Sequence, residues 1–385
     1  MNALVAHGGG PTSVINASLA GLVNRAREMR SFKHFYGARL GVKGILAEDW
    51  VDLLSYGFEA IEAVGRTPGS AIGSSRQKLS DDDYGTILHI FDRHNVRCFF
   101  YTGGNGSMDT ALRVEQCARA QGFELKVIGI PKTIDNDLEI TDHTPGYPST
   151  AHFFAIAARD VGEDNRSLPS PVCVLEVLGR NVGWVAAATA LARHTDADAP
   201  HLIYFPERPR SLDQIAADVD RVYTRLGRVV IAVCEGQMDE KGQPFGADVD
   251  RAGSTVHRLA SNLGHTLARR ISETVGIRAR SEKPGLFGRC CGPLASEVDR
   301  CEAYACGRAA AAAAIDGESG VMIAIRRVDE TLYRSEYFLT PLTEVARRER
   351  TMPDEWINEQ GNDVTSPFLE YLRPLVPQVH AYPRL

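Results

Sequence analysis

The sequence predicts an α/β protein built on parallel strands. Residues 127–130 are a short apolar run that ends at Pro131, the pattern of a strand covered on both faces. Residues 97–102 are a second β-prone run, which leads through glycines into an amphipathic helical pattern reaching Ala120. The order of strand, glycine turn and helix recurs along the chain, as in a mostly parallel sheet covered by helices.

This alternation sets out the expected elements. Strands are expected at 3–6, 97–102, 127–130, 172–177, 201–205, 228–234 and 320–328. Helices are expected at 14–27, 150–161, 182–193, 212–226 and 254–275, together with one ending at 120 and one ending at 314. The six-alanine run 309–314 predicts close helix–sheet packing, and the tail after Thr340 is expected to form short helices and coil.

Length and charge limit the possible functions. The chain has 385 residues, of which 44% are hydrophobic and 24% charged, enough for two domains with separate cores. The net charge of −6 provides no overall positive field for nucleic acid or anionic membranes. No apolar run approaches the ~18 residues of a membrane span. We therefore expect neither a nucleic acid nor a membrane as partner.

The cysteines and the N-terminus indicate a reducing compartment. The eight cysteines contain no CxxC pair at zinc-like spacing, so thiols are expected rather than disulfides or a metal site. Residues 1–7 are too short and uncharged for a signal peptide and have the pattern of a first strand. The expected location is the cytoplasm.

The chemistry is expected in the loop after the strand at 127–130. Lys132, Thr133, Asp135 and Asp137 follow its carboxyl end, where ligands bind in open α/β sheets. An acidic loop is also typical of a solvated turn, because Asp and Asn hydrogen-bond their own backbone. As a catalytic loop it would supply a cation and two carboxylates, with Asp135 as general base and Asp137 holding Mg²⁺ or orienting Asp135.

Two glycine-rich turns strengthen the catalytic interpretation. Gly103-Gly-Asn-Gly-Ser107 and Gly8-Gly-Gly-Pro-Thr12 each lie between a predicted strand and a predicted helix. Glycines let the backbone approach a phosphate, and the helix N-terminus presents free N–H groups. The first turn is neither a Walker A loop nor a strict GxGxxG, and either turn could be an ordinary loop. With the acidic loop, they supply what phosphoryl transfer needs: a phosphate cradle, a metal anchor and a base.

Three motifs carry a family resemblance. Gly103-Gly-Asn-Gly-Ser107, Pro131-Lys-Thr-Ile-Asp-Asn-Asp137 and Glu176-Val-Leu-Gly-Arg180 together resemble the phosphofructokinase family, in particular its pyrophosphate-dependent branch. The likeness extends from Gly8 to Leu375 and so covers nearly the whole chain. It implies two Rossmann-like lobes, each with a doubly wound, mostly parallel sheet, and an active site between them. The donor lobe would comprise 1–146 and about 289–340, and the acceptor lobe about 147–288 and 341–385.

The resemblance also implies roles for individual residues. The catalytic residues would be Asp135, Lys132, Thr133 and Arg180. The phosphoryl donor would be bound by Gly9, Gly10, Arg76, Gly104, Asn105, Gly106 and Ser107, and Mg²⁺ by Asn105 and Asp137. The acceptor would be bound by Asp137, Leu178, Gly179, Arg180, Glu235, Arg280 and Arg289.

Some of these residues also have ordinary structural explanations. Arg76 lies in a Gly/Ser loop, where an arginine is usually only solvated. Arg180 could be a surface charge at the start of a helix, and Glu235 could cap the next helix.

The implied reaction is Mg²⁺-dependent phosphoryl transfer from pyrophosphate to O1 of fructose 6-phosphate. Three alternatives remain: ATP as donor, another sugar or sugar phosphate as acceptor, or a catalytically weak sensor that binds sugar phosphates or nucleotides. Family members commonly form homodimers or homotetramers, and Arg280 would then act in a neighbouring subunit's site.

The chain departs from the family pattern at several positions. Asn105 replaces the metal-binding aspartate, Pro171 replaces a phosphate-binding arginine, and Gly288 replaces a glutamine. The acceptor pocket would thus lack one phosphate contact unless Arg166 or another basic residue substitutes. On the donor side, Gly106 leaves room for a nucleotide, whereas Lys132 favours pyrophosphate. Pyrophosphate is the donor we expect.

Overall fold

The computed structural model describes residues 1–168, 171–245, 262–329 and 332–384. They form two compact units, one made of 1–149 with 289–350 and the other of 150–288 with 351–385. The first unit thus ends at residue 350, whereas about 340 was expected for the donor lobe. Leu342 and Val345 are fully buried in the first unit's core, so this short helical segment belongs to that unit.

The bounds of the elements are as follows. The strands are β1 Asn2–His7, β2 Phe35–Ala38, β3 Trp50–Asp52, β4 Val96–Gly103, β5 Lys126–Pro131, β6 Val172–Val177, β7 Leu202–Tyr204, β8 Val229–Cys234, β9 Ala279–Glu282, β10 Val321–Asp329 and β11 Arg334–Pro341. The helices are α1 Ile15–Met29, α2 Val42–Ala47, α3 Phe58–Gly65, α4 Asp81–Arg93, α5 Asn105–Ala120, α6 Tyr147–Ser167, α7 Trp184–Ala188, α8 Leu212–Leu226, α9 Leu263–Val275, α10 Glu297–Ile315, α11 Leu342–Val345 and α12 Ser366–Leu372. Short 3-10 helices lie at Leu53–Ser55, Thr189–Ala192, Gly285–Arg289, Gly292–Leu294, Asp354–Trp356 and Arg373–Leu375.

The first unit is built on a mostly parallel sheet. Its strands, within the described residues, follow the order β11-β10-β5-β4-β1-β2-β3, and only β3 and β11 are antiparallel to their neighbours. In register, Val5 of β1 lies opposite Phe100 of β4, which lies opposite Ile128 of β5. Side chains of β4 and β5 pack into separate clusters on the two faces, which explains their continuous apolar sequence.

Two glycines, one in α1 and one in α10, permit these helices to approach closely. A Cβ on Gly307 would lie 2.0 Å from the backbone oxygen of Ser18 in α1, and a Cβ on Gly21 would lie 2.0 Å from the backbone oxygen of Tyr304 in α10. The helix also contacts β5, as the prediction of helix–sheet packing requires. The closest packing, however, is between α1 and α10, which the sequence analysis did not predict.

The second unit contains a parallel sheet in the order β7-β8-β6-β9 among its described residues. The predicted helix at 182–193 is instead α7 followed by the 3-10 helix Thr189–Ala192. The predicted helix at 254–275 falls partly outside the described residues, and its described part is α9. Both units confirm the predicted α/β class. In the described part of the chain, no helix has the length and apolarity needed to cross a membrane.

Candidate active site

Lys132 connects the predicted catalytic loop with a glycine turn of the first unit. Strands β1, β4 and β5 are adjacent and parallel, so the segments after them lie at one edge of the sheet. Lys132 is buried, and its Nζ donates hydrogen bonds to the carbonyl oxygens of Gly8 at 2.8 Å and Gly10 at 2.6 Å. Its backbone N–H bonds the carbonyl of Gly103 at 3.1 Å. One residue therefore joins the ends of all three strands.

The charge state of Lys132 depends on its surroundings. Burial lowers the pKa of Lys132 to about 7 because a charged amine is desolvated there. The negative charges of Asp135 and Asp137 raise the pKa of Lys132. The positive charges of Arg289 and Arg76 lower it further. The three cations thus lie close enough to repel one another, an arrangement that suits a polyanionic ligand.

Arg289 lies beside the first glycine turn. Its Nη1 is 2.8 Å from the position that a Cβ on Gly10 would occupy. Its Nε is buried and has no hydrogen-bond partner among the described residues. The resemblance assigned Arg289 to the acceptor's phosphate. The structure places it beside Gly10 and near Lys132, two residues predicted for the donor and for catalysis.

The loop that carries Arg76 also contacts the first glycine turn. Gly9 has a φ of +79°, which a side chain would disfavour, and its N–H bonds the carbonyl of Ser75 at 2.9 Å. Ser74 Oγ donates to the Gly9 carbonyl at 2.7 Å. The exposed Arg76 follows directly. Ser74 and Ser75 were not predicted to support this turn, although their place in the Gly/Ser loop was a signal for it.

The second glycine turn packs against the first through Ser107. A Cβ on Gly8 would lie 2.2 Å from Ser107 Oγ, and one on Gly103 would lie 2.0 Å from the same atom. A side chain at either position would force Ser107 to move. Gly104 is the residue before α5, and a Cβ on the exposed Gly106 would meet no atom within 4 Å. The space next to Gly106 is therefore open to a ligand.

Asn105 and Asp137 form the candidate metal site. Asn105 Nδ2 donates to the backbone oxygen of Asp137 at 3.3 Å, so the two residues are in contact. Asn105 Oδ1 and Asp137 Oδ1 are both buried without a hydrogen-bond partner in the described part of the chain. Amide and carboxylate oxygens are ligands that Mg²⁺ prefers, and Mg²⁺ commonly combines one or two protein ligands with substrate phosphates. The pair therefore fits Mg²⁺, although the described residues contain no group of three or more His, Cys, Asp or Glu that could hold a metal.

The catalytic loop is folded by its own side chains. The backbone N–H of Asp135 bonds Thr133 Oγ1 at 3.1 Å. Asn136 has a φ of +57°, and its Oδ1 accepts a hydrogen bond from the backbone N–H of Thr144 at 3.0 Å. Asp135 is half-buried, so its carboxylate remains accessible while its backbone is held.

In the second unit, the predicted acceptor residues follow β6 and β8. Arg180 has a φ of +52° and Gly179 a φ of +138°. A Cβ on Gly236 would lie 1.5 Å from the backbone oxygen of Arg180, so the segment 178–180 contacts the segment after β8. Leu178 and Arg180 are half-buried. The backbone N–H of Glu235 bonds the carbonyl of Val177 at 2.9 Å, and burial raises the pKa of Glu235. The structure thus brings Leu178–Arg180 and Glu235 together.

Lys283 is a basic residue of this region that the sequence analysis missed. Its Nζ lies 2.5 Å from the carboxylate of the buried Glu176. Its charge also acts on Glu235 and lowers the pKa of that carboxyl, although burial dominates. Arg280 and Lys283 line the same pocket, where Arg280 lies 4.0 Å from Asp164. Lys283 follows β9 directly and lies three residues beyond Arg280, and this position was the signal that could have identified it.

Arg166 forms an ion pair with a neighbouring residue of α6. Its guanidinium bonds Glu163 at 2.5 Å, one turn earlier in α6, and it is not among the residues that line the pocket of Arg280 and Lys283. Arg166 therefore lies outside the pocket that Arg280 and Lys283 share.

Residues 2–314 match the family described as Phosphofructokinase. The chain belongs to the phosphofructokinase family. Among its relatives, the pyrophosphate--fructose 6-phosphate 1-phosphotransferase of Rhodospirillum rubrum is 41% identical over 380 residues, which cover 97% of this chain and 93% of the relative. The sulfofructose kinase of Alkalicoccus urumqiensis is 33% identical over 363 residues, 94% of this chain and 93% of that protein.

A solved structure supports the same assignment. The pyrophosphate-dependent phosphofructokinase of Marinobacter aquaeolei superposes with a TM-score of 0.88 at 33% sequence identity. The match covers 100% of this chain and 93% of that one. The chain therefore has both the fold and the sequence of a phosphotransferase of this family.

Proposed function

We propose that this phosphofructokinase transfers a phosphoryl group from pyrophosphate to O1 of fructose 6-phosphate, with Mg²⁺ as cofactor. The observation that carries the proposal is the group of cations in the first unit, in which Lys132 bonds Gly8 and Gly10 and Arg289 covers Gly10. A diphosphate concentrates negative charge on a small ligand, which suits closely spaced cations next to glycine backbone. Relatives named for the pyrophosphate reaction, at 37–41% identity over most of the chain, support the same donor.

In this mechanism the protein mainly positions groups and stabilises charge. Asp135 accepts the proton of the acceptor hydroxyl as its oxygen attacks the terminal phosphorus of the donor. Thr133 donates a hydrogen bond to the transferred group, and Lys132 stabilises the phosphate that leaves. Asn105 and Asp137 would hold Mg²⁺, which neutralises charge on the phosphate oxygens when bound.

The acceptor is assigned to residues of the second unit. Arg180 supplies positive charge, and Glu235 accepts hydrogen bonds from sugar hydroxyls. Lys283, which pairs with Glu176 near the carboxyl end of β6, contributes a further cation to this region. We also propose a cytoplasmic location and a homodimer or homotetramer, in which Arg280 acts in a neighbouring subunit's site.

The decisive experiment is a coupled assay for fructose 1,6-bisphosphate with pyrophosphate and with ATP as separate donors. We expect turnover with pyrophosphate, and we expect Asp135→Asn to lower kcat by about 10²-fold or more while substrate affinities stay within roughly tenfold. Turnover with ATP alone would reassign the donor, which the open space at Gly106 allows sterically. Loss of affinity with unchanged kcat would contradict the role of Asp135.

A second candidate acceptor is a sulfonated fructose. The similarity to the sulfofructose kinase favours it, and so does Pro171, which stands where the family pattern has a phosphate-binding arginine. A sulfonate carries one negative charge, whereas a phosphate monoester carries nearly two at neutral pH, so it needs fewer cations. The same assay run with sulfofructose tests this candidate, and a higher kcat/KM than with fructose 6-phosphate would favour it.

A further inference from the structure

A segment that carries none of the proposed reacting groups holds the catalytic loop in place through hydrogen bonds. We call residues 141–146 the support segment. Thr144 bonds Asn136 Oδ1 through its N–H at 3.0 Å and the backbone oxygen of Thr133 through its Oγ1 at 3.0 Å. The N–H of Thr133 bonds the carbonyl of Pro145 at 3.2 Å. The position of the loop at 133–136 therefore depends on the position of the support segment.

Helix α10 holds the support segment through two buried carboxylates. His143 Nε2 lies 2.6 Å from Glu302 Oε2, and both residues are buried, with 0% and 4% of their surface exposed. One turn earlier in the helix, Asp299 Oδ1 accepts the N–H of Gly146 at 2.8 Å. These bonds attach both halves of the segment to one helix, and α10 itself packs closely on α1.

The remaining polar atoms around His143 are also engaged. His143 Nδ1 lies 2.8 Å from Asp142 Oδ2, and Arg327 of β10 lies 3.3 Å from the same oxygen. Tyr333 Oη donates to Glu302 Oε1 at 2.5 Å. The imidazole is therefore enclosed between two carboxylates, and its orientation is set from both sides.

We infer that His143 and Glu302 are a positioning pair for phosphoryl transfer: their buried ion pair fixes the support segment and, through Thr144, the placement of Thr133 and Asp135. Neither residue contacts the proposed reacting groups directly. The inference rests on the proposed function, because it assumes that Thr133 and Asp135 act on the phosphoryl group and the acceptor hydroxyl.

The ionisation of the pair is consistent with this role. Burial alone would lower the pKa of His143, but the charge of Glu302 and the hydrogen bond with Asp142 raise it to about 9. The other titratable or charged groups near the pair are Asp299, Cys301 and Cys306 on the same helix, Arg327 of β10, Tyr333, and Tyr337 of β11. The imidazolium is thus retained through neutral pH and lost as the pH rises through about 9.

The test compares Glu302→Gln with a control. The substitution keeps the side-chain shape but removes the charge. Asp363→Asn in the second unit is the matched control, because it removes the carboxylate that binds Arg193 at 2.8 and 2.5 Å, far in sequence from the loop.

We expect Glu302→Gln to lower kcat by about 10- to 100-fold with little change in either KM, as for a misplaced catalytic group. Its alkaline loss of activity should move to lower pH by about one unit or more, because His143 loses its counter-charge. Asp363→Asn should leave kcat and the pH profile unchanged.

Hydrogen–deuterium exchange separates this inference from the proposed function. In Glu302→Gln, exchange should accelerate in residues 132–146 but not in β4 or β5, and this readout needs no activity. Tyr333→Phe removes only one hydrogen bond from Glu302 and should give a smaller effect of the same kind if Glu302→Gln does not fold. Unchanged kcat, pH profile and exchange in a folded variant would overturn the inference. If the wild type has no phosphotransferase activity but the exchange result is as expected, the proposed function is overturned instead. His143 and Glu302 would then have only a structural role.

Discussion

The guanidinium of Arg289 lies against the α-carbon of Gly10, with its Nη1 2.8 Å from where a Cβ would be. The two residues are far apart in sequence, yet the contact places a third cation beside Lys132 and Arg76. We propose from this contact that Arg289 binds the donor as well, a role beyond the acceptor's phosphate that the resemblance implies.

The first prediction concerns Arg289. Arg289→Ala should raise the KM for pyrophosphate by about tenfold or more, because one charge-assisted phosphate contact contributes ~1.5–3 kcal/mol. Calorimetric titration with methylenediphosphonate, a diphosphate analogue, measures the donor site alone. Arg280→Ala, in the second unit, is the control and should leave analogue binding unchanged. Unchanged analogue binding in Arg289→Ala would leave Arg289 with the acceptor's phosphate alone.

The second prediction concerns proton uptake by Lys132. Its pKa is about 7, so the amine is largely neutral at about pH 8 before the donor binds. A bound diphosphate favours the charged amine and raises this pKa, so binding should take up a proton. Titrations in buffers of different ionisation enthalpy should give different apparent heats for the wild type, and Lys132→Met should lose most of that difference. Equal heats in all buffers for the wild type would contradict the prediction.

The third prediction tests donor choice. Lys132→Gly should lower turnover with pyrophosphate by about 10²-fold or more, because it removes a charge directed at the leaving phosphate. Any turnover with ATP should fall far less. Side-by-side assays with the two donors measure the ratio, and equal losses would mean that Lys132 does not discriminate between them.

The fourth prediction concerns Lys283. Lys283→Met should raise the acceptor KM by about tenfold, whereas Lys283→Arg should stay near the wild type because it keeps the charge next to Glu176. Lys241, exposed in a turn of the same unit, provides the control substitution Lys241→Met. If Lys283→Met leaves the acceptor KM unchanged, Lys283 takes no part in acceptor binding.

The fifth prediction concerns stability. Gly85 lies inside α4, and a Cβ there would meet no atom within 4 Å, so Gly85→Ala should stabilise the protein by about 0.5–1 kcal/mol. Gly307→Ala should destabilise it, because its Cβ would lie 2.0 Å from the backbone of Ser18. Thermal unfolding of both variants measures the contrast, and a lower Tm for Gly85→Ala would contradict it.

Local sequence was enough to predict much of the fold. Helix α8 and strand β6 have the bounds expected from hydrophobic periodicity, because a stripe or run of apolar residues is a property of neighbouring positions. Strands β2, β3, β9 and β11 were not predicted. Three of them have only three or four residues, and β11 is largely exposed, so their sequences carry little periodic signal.

The sequence by itself determined the α/β class, the family and the residues that follow each strand, including Lys132, Asn105, Asp135 and Asp137. Those features depend on short motifs and on the rule that parallel strands end at one edge. Only the tertiary structure decided three contacts. Arg289 packs against Gly10, Lys283 forms an ion pair with Glu176, and His143 forms one with Glu302. Each of these contacts joins residues distant in the chain through the packing of whole helices and strands. Periodicity cannot reveal them, because the spacing along the sequence holds no information about which elements meet.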